Sequence, residues 1–238
     1  MNCWAQCVAR LAQESPAVAL LLFVNAVGSD ALVRYGNDEQ KAAYLPDLIS
    51  GEKKISFALT EPNAGSDVWS LGTTAKPKGD GYVINGNKLF ISNAEVADYF
   101  CLFAQIDVDG ERKPTCFIVD ASNPGLQVSA HEKKLGLHGS PTCPLFFENM
   151  EVPASAIVGE VGHGAEIAYH ALNRARIAIA ACALGITKAS LKASAAYAQG
   201  RRQFGQLICY FQSINFMLAD MEIRVQASEL MLDQAIEA

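Results

Sequence analysis

The sequence has little positive charge and little charge of either sign. Charged residues make up 18% of the chain, and 19 lysines and arginines face 25 acidic residues, which gives a formal net charge of −6. The pI of about 5.2 follows from that balance. General nucleic-acid binding requires a basic surface, although a small basic patch can still serve a phosphate. The composition therefore argues against a general nucleic-acid binder.

The seven cysteines lack any pairing pattern. Their number is odd, their positions are scattered, and no Cys-x-x-Cys occurs. We interpret them as reduced thiols of an intracellular protein, most of them buried as small apolar side chains. The four histidines show no metal-ligand spacing with a carboxylate partner. The sequence therefore predicts no metal site.

Long hydrophobic runs are also missing. The longest, Ala17 to Val24, is too short to cross a bilayer, so we predict no membrane span. Glu14 and Pro16 interrupt the pattern of a signal peptide. Ser15-Pro16 is typical of the cap and first turn of a buried helix. No P-loop, Rossmann fingerprint or nucleophilic triad is apparent.

What is present divides the chain into three parts. Half of the 238 residues are hydrophobic, enough for a substantial core in two or three small domains. Residues 1–54 have helical periodicity, with Asn37 as a cap and Gly51 as a stop. Residues 161–238 are helical again, and the last pattern runs to Ala238 without a stop signal. We therefore expect a fragment of a longer protein.

The middle part, residues 55–160, has the pattern of short strands. Asn85-Gly86 predicts a hairpin between Tyr82–Ile84 and Lys88–Ser92, because this dipeptide suits a type I′ turn. Asp109-Gly110 predicts a second hairpin. The predicted fold class is α+β: N-terminal helices, a central antiparallel β-barrel or sandwich, and an incomplete C-terminal helical bundle.

The first candidate site is the loop from Thr60 to Asp67, which follows a short apolar strand. An ordinary surface turn accounts for its proline, asparagine and glycine. Alternatively, Thr60 and Ser66 donate hydrogen bonds to a planar polar ligand, and Gly65 permits close backbone approach. The residue types alone leave both interpretations open.

Three further candidates are equally ambiguous. Phe90-Ile91-Ser92 ends a strand and is either core or a wall beside a ring system. Arg201, Phe204 and Gln212 form either a solvated cluster at a helix junction or a phosphate site. Asn173 and Arg176 share a helix face at spacing i, i+3.

Five motifs in order decide the family. The chain contains FALTEPNAGSD, GYVINGNKLFISNA, KKLGLHGSPTCPLFFENMEVP, YAQGRRQFG and FQSINFMLADM. In this order and spacing they closely resemble the acyl-CoA dehydrogenases, over essentially the whole chain. Members of that family are homotetrameric flavoenzymes with a helical domain, a central β domain and a C-terminal helical bundle.

The resemblance implies roles for individual residues. The residues that it places on FAD are Phe57, Leu59, Thr60, Ser66, Phe90, Ile91, Ser92, Arg201, Phe204 and Gln212. Arg201, with Phe204 beside it, would contact the pyrophosphate of the cofactor across the subunit interface. Gln212 would also contact the cofactor of the neighbouring subunit. Ser66, Asn173 and Arg176 would lie near the acyl-CoA.

The sequence departs from the family pattern at four places. Phe90 replaces the usual Trp, Asn173 a frequent Asp, and His138 the usual Arg. The catalytic base of most members is a Glu in a late loop, which we expect beyond Ala238. A minority place it in the helix at the position of Ala175. Glu61 matches a structural residue, so we predict no catalytic residue in this chain and expect the chain alone to be inactive.

The resemblance also implies partners and leaves alternatives. It implies an acyl-CoA substrate, electrons passed to an electron-transfer flavoprotein, and a dimer of dimers. An oxidase that hands electrons to oxygen and a catalytically silent subunit that binds flavin or acyl-CoA both stay open. The bacterial cytoplasm and the mitochondrial matrix suit the family equally.

Overall fold

The computed structural model describes residues 3–237 of the 238-residue chain. It has the α+β class that the sequence predicts, with helices, then a sheet, then helices. Ala238, where the last predicted helix ends, lies outside the described residues. Two compact units divide the chain, one formed by residues 21–175 and the other by residues 3–20 with 176–237.

Five α-helices begin and end near the expected signals. They are α1 (Cys3–Glu14), α2 (Pro16–Tyr35), α3 (Asp38–Ser50), α4 (Gly164–Gly200) and α5 (Gln212–Glu237). Asn37 and Gln40 form a reciprocal capping box at the start of α3, and Gly51 ends it in the left-handed region, with φ of 80°. The backbone N–H of Val18 donates to Ser15 Oγ at 3.4 Å, which supports the predicted start of α2.

Eight strands form one sheet in the unit of residues 21–175. They are β1 (Ile55–Ala58), β2 (Thr74–Lys78), β3 (Gly81–Ser92), β4 (Tyr99–Val108), β5 (Glu111–Asp120), β6 (Leu126–Val128), β7 (Thr142–Pro153) and β8 (Ile157–Val158). The order is β6-β7-β3-β2-β4-β5-β8, and β1 pairs with β4. The sheet is mainly antiparallel, as expected, but β1 and β2 both run parallel to β4.

One predicted hairpin is wrong and the other is confirmed. Asn85-Gly86 does not turn the chain but lies inside β3, which continues through it to Ser92. Gly86 has φ of 145°, and a Cβ there would lie 2.6 Å from Thr73 Cα. The glycine therefore serves a close approach of two backbones. Asp109-Gly110 does form the predicted turn between β4 and β5, with both φ angles positive.

The sheet has an apolar core on both faces. One buried cluster includes Phe100, Leu102 and Phe117, and the other includes Phe103 and Leu71. All seven cysteines are free, as predicted. Cys101, Cys116, Cys143 and Cys182 are buried. The Sγ atoms of Cys101 and Cys116, on neighbouring strands β4 and β5, lie 3.4 Å apart.

The other unit is helical except for one small hairpin. Strands β9 (Arg202–Gln203) and β10 (Gln206–Leu207) pair between α4 and α5. Lys188 on α4 forms an ion pair with Glu229 on α5. Gly185 on α4 lies so close to α1 that a Cβ there would lie 2.2 Å from the carbonyl oxygen of Ala9.

Two helices are long and apolar enough to cross a membrane by length and composition, although the run of apolar residues suggested none. They are α2 and α4. The core helix of a soluble protein passes the same test. Asp30 of α2 is 3% exposed and pairs with Arg34, which is typical of a helix packed against protein. Among residues 3–237, no group of three or more histidine, cysteine or acidic side chains is placed to hold a metal ion.

Candidate functional site

A cleft of about 190 Å³ lies in the unit of residues 21–175. Its walls are Phe23, Val24, Val27, Phe57, Leu59, Thr60, Phe90, Ile91, Ser92, Leu172 and Ala175. Six of the residues that the sequence assigned to a ring system are among them: Phe57, Leu59, Thr60, Phe90, Ile91 and Ser92. The only side-chain hydrogen-bonding groups in this lining are the hydroxyls of Thr60 and Ser92. The cleft therefore suits a flat, mostly apolar ligand with polar edges.

Two hydrogen bonds join the two strand ends that form the floor. The backbone N–H of Leu89 donates to the carbonyl oxygen of Thr60 at 2.8 Å. Ser56 Oγ donates to the carbonyl oxygen of Ser92 at 2.9 Å. Strands β1 and β3 are not ladder partners, because β1 pairs with β4, and β3 with β2 and β7. These bonds therefore set the distance between the two ends.

A bulge in β3 presents Phe90 to the cleft. Lys88 pairs with Leu145 and Ile91 with Cys143, so two residues of β3 oppose the single residue Pro144. Proline has no backbone N–H for the ladder, which makes this a natural place for a bulge. Phe90 has φ of 59° and is 59% exposed. An exposed aromatic residue with a strained backbone contributes little to packing, so its position indicates a functional role.

A buried ion pair contacts the backbone of the cleft lining. Lys88 Nζ donates to Glu61 Oε1 at 2.7 Å and to the carbonyl oxygen of Leu59 at 3.0 Å. Glu61 also accepts from the backbone N–H groups of Gly72 at 2.5 Å and Thr73 at 3.2 Å. These contacts hold Glu61 in the interior, and its assignment as a structural residue stays a prediction. Lys88 was not anticipated, because a lysine in a strand pattern usually points to solvent.

The two partners of this pair respond differently to their environment. Burial lowers the pKa of Lys88 to about 8, against the opposing attraction of Glu61. Burial raises the pKa of Glu61, but Lys88 and the hydrogen bonds from Thr73 and Gly72 outweigh it, and the net shift is downward. The ionised form of Glu61 is thus stabilised by its partners, whereas the attraction of Glu61 offsets only part of the cost of burying the Lys88 ammonium.

The rest of the Thr60–Asp67 loop turns away from the cleft lining. Glu61 and Ala64 exchange backbone hydrogen bonds of 3.1 and 3.2 Å. Ser66 is exposed and does not line the cleft. Thr60 thus lines the cleft, and Pro62 and Asn63 are exposed at the tip of the turn that follows it. That Thr60 and Ser66 bind a ligand stays a prediction.

Helices α2 and α4 form the apolar wall, which the sequence did not predict. Val24 and Val27 come from α2, and Leu172 and Ala175 from α4. Near this wall, Arg174 Nη1 donates to Asp30 Oδ1 at 2.5 Å and so joins the two helices. Helical periodicity marks these residues as buried, but it does not distinguish a cleft wall from a core.

The other predicted site residues lie outside this cleft lining. Asn173 is exposed. Arg176 belongs to the second unit, where it lines a groove of about 440 Å³ between α4 and α5. Nothing in the structure explains the histidine at position 138, which is exposed.

Arg201, Phe204 and Gln212 surround the β9–β10 hairpin in the second unit. Phe204 has φ of 50° at the tip, and its side chain is 95% exposed. Its ring meets that of Phe211 edge to face, with centroids 6.2 Å apart. Arg201 and Gln212 are exposed on either side, with Gln212 as the first residue of α5. The hairpin thus presents an aromatic ring and a guanidinium on its surface.

Family models match almost the whole chain. The acyl-CoA dehydrogenase N-terminal domain matches residues 1–52, the middle domain 56–150 and the C-terminal domain 162–238. An acyl-CoA dehydrogenase of Bacillus subtilis is 44% identical over 95% of this chain and 60% of its own length. The rat mitochondrial short/branched chain specific acyl-CoA dehydrogenase is 41% identical over 96% of this chain and 53% of its own. The chain thus spans little more than half of these relatives.

Solved structures agree. Butyryl-CoA dehydrogenase from Megasphaera elsdenii superposes with a TM-score of 0.92 at 38% identity, over 95% of this chain and 60% of that one. An acyl-CoA dehydrogenase from Bacillus anthracis complexed with FAD gives 0.90 at 37% identity, over 94% of this chain and 38% of that one. Likeness at this level, in three consecutive domains, shows common descent as well as a common fold. The chain belongs to the acyl-CoA dehydrogenase family.

Proposed function

We propose that this chain carries the flavin-binding part of an FAD-dependent acyl-CoA dehydrogenase. The observation that supports it is the cleft, in which Thr60, just after β1, comes together with Phe90 and Ser92 of β3, a strand that shares no ladder with β1. The resemblance assigns these three residues to the flavin. FAD, when bound, accepts the hydride that leaves the β carbon of the thioester.

The residues of the cleft fit an isoalloxazine ring. The Phe90 ring offers an aromatic face, and Ile91 and Leu172 offer apolar contacts. The hydroxyls of Thr60 and Ser92 are the hydrogen-bonding side chains available to the polar edge of the ring. The apolar wall from α2 and α4 excludes water, which strengthens those hydrogen bonds.

We assign the pyrophosphate to the hairpin. Arg201 supplies a permanently charged fork that matches phosphate geometry, with Phe204 and Gln212 beside it. In the proposed dimer of dimers they reach the cofactor of a neighbouring copy. Ser66, Asn173 and Arg176 are assigned to the acyl-CoA. The electron acceptor is an electron-transfer flavoprotein, and the location is the bacterial cytoplasm or the mitochondrial matrix.

The chemistry also requires a base for the α proton, which is only weakly acidic. None of the residues in the described lining of the cleft is a carboxylate, and Ala175 stands where a minority of the family carry the base. We therefore propose that the 238-residue chain abstracts no α proton by itself. The same observation favours one alternative, a catalytically silent subunit that binds flavin or acyl-CoA. An acyl-CoA oxidase is distinguished by oxygen consumption.

The deciding experiment is a visible absorption spectrum after incubation with FAD and desalting. We expect a flavin band that survives desalting and weakens in Phe90→Ala. Phe146→Ala is the matched control, because Phe146 is also partly exposed on the same sheet but does not line the cleft. A folded chain that retains no flavin would contradict the proposal.

A further inference from the structure

Lys88 has a place that stability alone does not explain. It is one of the largest fully buried side chains, with 1% of its surface exposed. Burying an ammonium costs free energy that pairing only partly offsets, and an apolar residue of similar volume often serves stability as well. A geometric role accounts better for a lysine here.

The contacts of Lys88 join the two edges of the cleft. Lys88 immediately precedes the bulge residues Leu89 and Phe90. Its ammonium holds the carbonyl oxygen of Leu59 at 3.0 Å and the carboxylate of Glu61 at 2.7 Å, on either side of Thr60 in the chain.

Glu61 anchors the same junction to the rest of the sheet. Its carboxylate accepts from the N–H groups of Gly72 and Thr73, just before β2 begins. The pair thereby connects the residues that follow β1 both to β3 and to the start of β2, and β1 forms no ladder with either of these strands. Neither Lys88 nor Glu61 lines the cleft, so both act through Thr60 and Phe90.

We propose that Lys88 and Glu61 form a positioning ion pair that holds Thr60 and Phe90 at the spacing required by a flavin ring. The inference rests on the proposed function. It adds two residues that determine the shape of the site without touching the ligand.

The test compares Lys88→Met, Glu61→Gln and the double variant in the full 238-residue chain. Each single variant leaves one buried charge without its partner, whereas the double variant leaves none. The matched control is Lys78→Met, because Lys78 pairs with Glu151 on the surface of the same sheet. The readouts are FAD affinity, visible circular dichroism of bound flavin, and hydrogen exchange of the Leu89 and Leu102 amides.

We expect the double variant to recover most of the thermal stability that the single variants lose. Its FAD affinity should nevertheless stay at least tenfold below that of the unaltered chain, with a changed flavin dichroism. The Leu89 amide, which bonds Thr60, should exchange at least tenfold faster, while Leu102 in the middle of β4 does not change. Lys78→Met should match the unaltered chain in every readout.

Two different failures can be told apart. An unaltered chain that binds no FAD contradicts the proposed function, and Leu89 exchange then decides the positioning role alone. A folded double variant with unchanged Leu89 exchange overturns the inference, whatever the flavin does. Equal acceleration at Leu89 and Leu102 also overturns it, because that pattern shows general destabilisation.

Discussion

At the scale of single residues, the site depends on side chains that are in unfavourable places for stability. Phe90 has a left-handed backbone and an exposed ring, and Lys88 has a buried charge. The resemblance pointed to Phe90, because Phe90-Ile91-Ser92 is similar to the Trp-Ile-Thr or Trp-Ile-Ser of the family. It did not reveal Lys88, because the burial of a lysine depends on Glu61, which lies 27 residues away in the chain.

The pKa of Lys88 gives a stability that changes with pH. Because burial lowers this pKa from 10.5 to about 8, the folded chain loses the proton before the unfolded chain does. Between about pH 8 and 10.5 the unfolded state binds more protons, so the free energy of unfolding rises with pH. Urea unfolding at pH 7 and pH 9.5 should show this rise relative to Lys88→Met/Glu61→Gln.

The comparison with the double variant cancels the effect of other titrating groups on the free energy of unfolding. The pKa values of Tyr35 and Tyr44 are also raised, chiefly by burial, but both proteins contain these tyrosines. A difference in unfolding free energy that stays constant between pH 7 and pH 9.5 would show that the Lys88 ammonium is not perturbed.

Phe90 should matter for the ligand more than for the fold. Its ring is 59% exposed, so Phe90→Ala removes little buried area, and the free energy of unfolding should fall by less than about 1 kcal/mol. FAD affinity should fall about five- to tenfold, as expected for the loss of one aromatic contact. Urea unfolding and FAD titration measure the two effects. A large loss of stability with unchanged affinity would mean that the ring serves the core.

At the scale of secondary structure, local sequence signals predicted where helices and turns end better than whether a strand continues through a turn-like dipeptide. Asn37, Gly51 and Asp109-Gly110 act as the sequence indicates, because capping and tight turns are decided within a few residues. The hairpin predicted at Asn85-Gly86 was wrong, because Gly86 is required by the close approach of Thr73, a residue distant in the sequence. The α2 and α4 wall of the cleft was missed for the same reason.

Two glycines of α4 allow a test with opposite signs. Gly185→Ala would place a Cβ 2.2 Å from the carbonyl oxygen of Ala9 and must push α1 away, so the free energy of unfolding should fall by more than about 1 kcal/mol. Gly200→Ala meets nothing within 4 Å and should raise it by about 0.5–1 kcal/mol, because alanine favours a helix. Thermal unfolding distinguishes them. Equal effects would mean that α1 and α4 do not pack closely.

At the scale of the whole molecule, the family and its order of domains were readable from five motifs, and the fold class was confirmed. The sites were not readable to the same extent. The cleft gathers six of the predicted flavin residues, while Arg201, Phe204 and Gln212 lie in the second unit. Their roles stay a prediction, because the contact proposed for them is with the cofactor of a neighbouring copy.

The described residues that line the cleft include no carboxylate, and the consequence can be tested by supplying one. Ala175→Glu places a carboxylate in the cleft lining, at the helix position used by a minority of the family. With FAD and an acyl-CoA bound, this variant should incorporate deuterium from D2O at the α carbon, whereas the unaltered chain should not. Ala175→Gln is the control of equal size. Exchange by the unaltered chain at a comparable rate would show that another residue already acts as base.

The two sulfur atoms that meet between β4 and β5 give the sheet its own reporter of opening. Cys101 and Cys116 are 1% and 0% exposed, and burial holds the pKa of the Cys116 thiol well above its ordinary value. Cys3 and Cys7 lie exposed on α1. An alkylating reagent should therefore modify α1 within its ordinary reaction time and reach β4 and β5 only as fast as the sheet separates. The difference between the two labelling rates measures how often strands β4 and β5 separate.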